Sequence, residues 1–190
     1  KTPMVKKLRK RVNGIYVDTN FILDCTEGRN DKSIALILKI KEKKWKCVTS
    51  AFTIMEIAEI KKDEAFIWKK LQKKWELKKI LRERYKKDLN NDDFEEISNY
   101  LQNKILNAYP YIETINLTPE GWTLALQISR ESNIFTGDAI HLASAWSSQC
   151  NYLITSDDQF IKNADSVLKK LNFEDIFVMT PEKFLKIYEE

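Results

Sequence analysis

The chain has 190 residues, an apolar share of 43%, a high charged share of 32% and a formal net charge of +4. That length suits one domain with a proper core, and no run of roughly 18 apolar residues offers a membrane span. Three scattered cysteines (Cys25, Cys47, Cys150) and one histidine (His141) make neither a disulfide framework nor a His–Cys zinc site, so free thiols in a reducing cytoplasm are expected.

Residues 14–17 read as a short buried strand. Residues 30–43 keep a helical period through Ile34, Leu36, Ile37, Leu38 and Ile40. Residues 45–49 read as a second strand. The stretch SAFTIMEIAEI then turns helical, and Thr53 and Glu56 have capping-box spacing. Residues 61–108 look helical almost throughout, broken at 90–92, where Asp92 or Asp93 is expected to cap the next helix. Residues 111–117 read as a strand. Thr118, Pro119 and Glu120 then supply a cap, a first-turn proline and an acid for a helix to about 131. Ile134 and Phe135 form a very short extended piece before a helix opened by Thr136-Gly137-Asp138. Residues 151–155 make a strand, SDDQF a turn into a helix, 176–180 a last strand, and Pro181 starts a terminal helix.

Strands alternating with helices predict an α/β fold with a central parallel sheet of about five strands flanked by helices. The expected organisation is a basic N-terminal extension over 1–13 and a single domain over 14–190. A helical hairpin is expected as an insertion at about 61–108. Only four glycines are present, and neither a dinucleotide fingerprint nor a phosphate loop is found.

Four acids fall at element ends. Asp18 ends the first strand, Glu56 lies in the first turn after the second, Asp138 opens a helix, and Asp157 follows the strand YLIT. In an open parallel sheet the carboxyl ends of the strands share one edge, where ligands bind at the topological switch point. Glu56 has a second explanation as half of a capping box, Asp138 as a helix cap, and Asp157 and Asp158 as turn residues. Asp18, between apolar runs, has no evident capping task. Several carboxylates together repel one another unless a cation joins them, and oxygen-only ligands select a hard ion such as Mg²⁺ or Mn²⁺.

The blocks VDTNFILD, TIMEIAEI, GDAIHLASA and LITSDDQF resemble, in order, the four motif blocks of the PIN-domain nucleases. They are most similar to those of the VapC-type toxins of type II toxin–antitoxin pairs. The resemblance implies a PIN fold, Mg²⁺ or Mn²⁺, and cleavage of single-stranded or loop RNA. It places the family's acids on Asp18, Glu56, Asp138 and Asp157, and its polar supporting positions on Asn20 and Thr155. Asp18, Asp138 and Asp157 are expected to hold metal, and Glu56 to orient or deprotonate the attacking water. Hydrolysis of this kind leaves a 5′-phosphate and a 3′-hydroxyl. An antitoxin protein and a second copy of the chain are the expected partners besides RNA. Two other readings stand beside the toxin: an RNA-processing PIN nuclease not tied to an antitoxin, and a non-catalytic RNA-binding or assembly module.

Charge is unevenly spread. The six cations before residue 14 face no acid, and residues 61–87 carry twelve cations against four acids, a net +8. The rest of the chain must then carry −10, since the total is +4. Lys69, Lys70, Lys73 and Lys74 form the densest part of the second cluster and are the candidate contacts for an RNA backbone. The bland reading is one solvated amphipathic helix. His141 reads as a packing residue, Asp24 and Glu59 as exposed helical acids, and Trp45, Trp122 and Trp146 as core.

Overall fold

Three apolar residues, Ile15–Val17, form β1, and all three are fully buried. The computed structural model describes residues 11–131, 134–173 and 175–189. Most of the basic segment expected over 1–13 therefore lies outside the described residues. After β1 come α1 (Thr19–Glu27), α2 (Asp31–Lys43), β2 (Cys47–Ser50) and α3 (Ala51–Gln72). Then follow α4 (Leu77–Glu83), α5 (Asn91–Tyr100), β3 (Ile112–Ile115), α6 (Pro119–Glu131) and α7 (Thr136–Ser147). The chain ends with β4 (Tyr152–Ile154), α8 (Asp158–Lys170), β5 (Phe177–Met179) and α9 (Pro181–Glu189).

The chain divides into two compact units: residues up to Thr53 together with those from Tyr111 onward, and Ile54–Pro110. The first holds a five-stranded sheet in the order β3-β2-β1-β4-β5. Every pairing is parallel, as the alternation of strands and helices predicted. Side chains alternate across the sheet. Tyr16, Val48, Leu153 and Val178 join the core built by α6, α7 and α8. On the opposite face Tyr152 and Phe177 stack at 5.7 Å, and Phe184 of α9 meets Tyr152 edge-on at 5.0 Å. Both faces being covered explains why β1, β4 and β5 have no polar side.

The second unit is all helical, but in more pieces than its pattern suggested. α3 ends at Gln72, where Lys73 and Lys74 turn the chain and Lys74 takes a left-handed backbone (φ 56°). A further helix, α4, then precedes the expected break near 90. The turn divides the lysine-rich stretch between a 22-residue helix and a 7-residue one, where one amphipathic helix was expected. Asn90, not Asp92 or Asp93, caps α5: its side chain accepts from Asp93 N, and Asp93 answers to Asn90 N, a full capping box.

The expectation that the tryptophans are core fails at two positions. Trp122 and Trp146 are 48% and 44% exposed, so neither is core. Ile134 and Phe135 join no strand of the sheet, and Phe135 has the extended backbone expected of that short piece (φ −65°, ψ 149°).

Candidate active site

β1 and β4 are neighbours, with Val17 opposite Ile154. The chain leaves β1 toward β2 on one side and leaves β4 toward β5 on the other. Their carboxyl ends are thus the switch point of the sheet, where a crevice opens in doubly wound folds. Asp18 is the residue after β1, and Asp157 lies three residues after the end of β4. Asp18 N donates to Ile154 O at 3.4 Å, which ties the two strand ends together. α7 runs back to the start of β4 through only four residues. Its N-terminus, with Asp138 as third residue, therefore lies at the same edge of the sheet.

Each of these acids also serves its own backbone. Asp18 caps α1: Oδ1 accepts from Phe21 N at 2.9 Å, and the residue is 3% exposed. The sequence shows no evident capping task for it; α1 begins at Thr19, directly after Asp18, which gives it one. Asp157 caps α8 through Oδ1, accepting from Gln159 N at 2.8 Å and Phe160 N at 2.9 Å. Thr155 is buried, and its Oγ1 accepts from Asp157 N at 3.0 Å. Asp138 is not a cap, because Phe135 holds that position in α7. It lies in the first turn, where the helix dipole favours a carboxylate. Three helix N-termini thus face the edge that carries three acids.

The start of α3 departs from expectation. Ser50, the last residue of β2, is the cap, and its Oγ accepts from Thr53 N at 3.2 Å. The helix begins at Ala51, so Thr53 is its third residue and Glu56 lies in the second turn, outside any capping box. Glu56 is half-buried and belongs to the second unit. Asn20 is exposed on α1; the orientation of Asp18 is set by Phe21 N.

Beneath this edge lies a buried polar network. Tyr16 Oη donates to Ser50 Oγ at 2.8 Å, and Ser50 and Thr53 hydroxyls are 3.2 Å apart. His141 Nδ1 is 2.9 Å from Tyr16 Oη. A phenol has one proton, so with that proton on Ser50 the imidazole must donate Nδ1–H. His141 is 3% exposed and packs against the rings of Phe52 and Phe160. It is a packing residue, as expected.

Asp24 was misread. It is 9% exposed, and its Oδ2 accepts from Ser33 Oγ at 2.9 Å and Ser156 Oγ at 2.5 Å. Ser156 immediately precedes Asp157, so Asp24 ties α1 to the loop that carries that acid. The only signal in the sequence was spacing: Asp24 lies six residues after Asp18, toward α2. No local pattern names Ser156 as its partner.

Lys69, Lys70, Lys73 and Lys74 are not equivalent. Lys69 pairs with Asp93. Lys70 is buried, 3.1 Å from Asp88 Oδ2, with its ammonium 5.1 Å from the Phe66 ring centre and 4.8 Å from that of Trp75. Lys73 and Lys74 are exposed.

Among the described residues, no group of three or more His, Cys, Asp and Glu side chains is arranged to hold a metal ion. The donor chemistry at the β1–β4 edge nonetheless fits a hard divalent cation: Asp18, Asp138 and Asp157 are all carboxylates, and the one histidine is engaged below them.

Comparison with known proteins bears on the fold and the family. A solved structure, VapBC2 from Rickettsia felis bound to a DNA fragment from their promoter, superposes with a TM-score of 0.53 at 10% identity. The alignment covers 88% of this chain and 98% of that one. At that identity the likeness is one of fold. No curated protein is similar enough in sequence to count as a relative. The family model of the PIN domain matches residues 15–166, a span from β1 into α8 that takes in all four acids, and the chain accordingly belongs to the PIN-domain family.

Proposed function

We propose that this PIN domain is a divalent-metal-dependent endoribonuclease acting on single-stranded or loop RNA, and that it is the toxin of a toxin–antitoxin pair. PIN domains are typically nucleases. The observation that carries the reading is the placing of Asp18 and Asp157 at the β1–β4 switch point, with Asp138 at the α7 N-terminus on the same edge. Likeness in fold to a VapBC2 structure supports the toxin and its antitoxin partner.

Asp18, Asp138 and Asp157 would hold Mg²⁺ or Mn²⁺. A metal so held lowers the pKa of bound water and neutralises charge on the scissile phosphate. The residues' own work is positional. Phe21 N fixes Asp18, Thr155 and two helix amides fix Asp157, and Asp24 holds the loop between them. Glu56, in the second turn of α3, is assigned to take the proton from the attacking water. Thr155 supports Asp157, and Asn20 is assigned a supporting place beside Asp18, whose orientation Phe21 N already sets. Attack on phosphorus with departure of the 3′ oxygen leaves a 5′-phosphate and a 3′-hydroxyl.

The test is end-group analysis of RNA products with and without chelator. Cleavage that needs Mg²⁺ or Mn²⁺ and leaves 5′-phosphates supports the reading. Cleavage persisting in excess EDTA with cyclic phosphate ends refutes it.

A further inference from the structure

Phe135 stands at the cap position of α7, with φ −65° and ψ 149°, and its side chain makes no capping hydrogen bond. Ser, Thr, Asp and Asn are the residues that favour this position, because their side-chain oxygen satisfies an open helix N–H. Phenylalanine has no side-chain oxygen to offer it. It does not recover the loss by packing either, since it is 73% exposed. In the same unit Phe21, Phe160 and Phe184 are buried and Phe52, Phe173 and Phe177 are partly buried, which leaves Phe135 as the exposed one among the described residues. An aromatic ring is thus held in water at a position where both helix capping and burial argue against it. It lies three residues before Asp138, at the carboxyl edge of the sheet.

We infer that Phe135 is a stacking platform for a nucleobase of the single-stranded RNA lying across the acidic edge. This rests on the endoribonuclease reading and adds the contact that holds the base next to the bond to be cut. The acids cannot hold the strand, because they repel its phosphates. Every base has an apolar π-face, and an exposed ring is the sequence-tolerant way to grip it. The edge then divides its tasks: carboxylates for the phosphate that reacts, an aromatic ring for a neighbouring base.

The experiment measures binding of a short single-stranded RNA in chelator on an Asp18→Asn background, and cleavage on the wild-type background. Phe135→Ser, Phe135→Leu and Phe135→Trp are compared with Phe135 in each. Loss of one stacked base weakens affinity about 5- to 150-fold, the equivalent of about 1–3 kcal/mol. Ser and Leu should both show that loss, with KM raised more than kcat is lowered, and Trp should retain affinity. Phe135→Ser should melt at a higher temperature than the parent, because it restores a cap; weaker binding by a more stable variant excludes misfolding as the cause. RNA binding and KM unchanged in Phe135→Ser overturn the inference while leaving the nuclease reading intact. A change confined to oligomeric state would assign the ring to a protein contact and also overturn it. A parent that neither binds nor cuts RNA overturns both.

Discussion

Replacing Asp18 separates its structural task from its chemical one. Alanine removes the oxygen that accepts from Phe21 N at 2.9 Å, at a residue only 3% exposed. Losing a helix cap costs about 0.5–2 kcal/mol. Little water can reach the freed amide, which favours the upper half of that range. For a chain of this length each kcal/mol moves the melting temperature by about 2–4 °C, so Asp18→Ala should melt about 2–8 °C lower. Asparagine keeps an oxygen in the same place and caps as well as aspartate. It forfeits about 0.3–1 kcal/mol of attraction to the α1 dipole, offset by weaker repulsion from other acids at the edge. Asp18→Asn should therefore melt within about 2 °C of wild type by the same conversion. Thermal unfolding followed by circular dichroism in EDTA, which keeps metal out of the comparison, measures both. Equal losses in the two variants would show that the charge, not the cap oxygen, sustains the fold here.

Four further expectations rest on particular contacts. Asp24→Ala strands the hydroxyls of Ser33 and Ser156 and should cost about 1–3 kcal/mol, with Asp24→Asn losing less; denaturant midpoints decide, and an unshifted midpoint for alanine would refute the tie. Lys70→Ala should destabilise by about 1–2 kcal/mol through its lost ion pair and ring contacts. Lys73→Gln with Lys74→Gln should leave stability unchanged and flatten the salt dependence of RNA binding by about 0.7 per contact removed; an unaltered slope would remove these lysines from the RNA path. At high pH, burial first and then the Asp24 carboxylate push the Cys25 thiol up to about 12, and burial raises Cys47 and Cys150 as well. Folding thus favours the protonated thiols: this contribution is complete below the unfolded thiol pKa of about 8.5 and is lost as pH climbs toward 12. Chemical denaturation at pH 8 and pH 10.5 should show lower stability at the higher pH, and a Cys25→Ser variant should show a smaller drop.

The sheet was legible because its signal is local. Short β-rich runs such as IYV and YLI, set between amphipathic helices, carry the strand–helix alternation, and a parallel sheet follows from it. The acids were legible because Asp18 and Asp157 each interrupt an apolar strand end. What escaped depended on contacts distant in sequence or on where a helix truly starts. Ser50 looked like the start of a helical run and proved the strand's last residue and the cap, which places Glu56 in the second turn. Asp24 looked like a solvated helical acid, and its burial rests on Ser156, 132 positions away. The first arm of the 61–108 hairpin read as a single helix because lysine-rich sequence suits helix and turn surface alike; the left-handed Lys74 carries no glycine to announce it.

The central claim is that the acids at the β1–β4 edge are the catalytic centre. Its most direct measurement is the initial rate of RNA cleavage in Mg²⁺ by wild type, Asp18→Asn and Asp138→Asn, each checked for an unchanged circular dichroism spectrum. Metal-assisted stabilisation is worth several kcal/mol, so each variant should lose more than about a hundredfold in rate. Either variant cutting RNA at the wild-type rate would contradict the account.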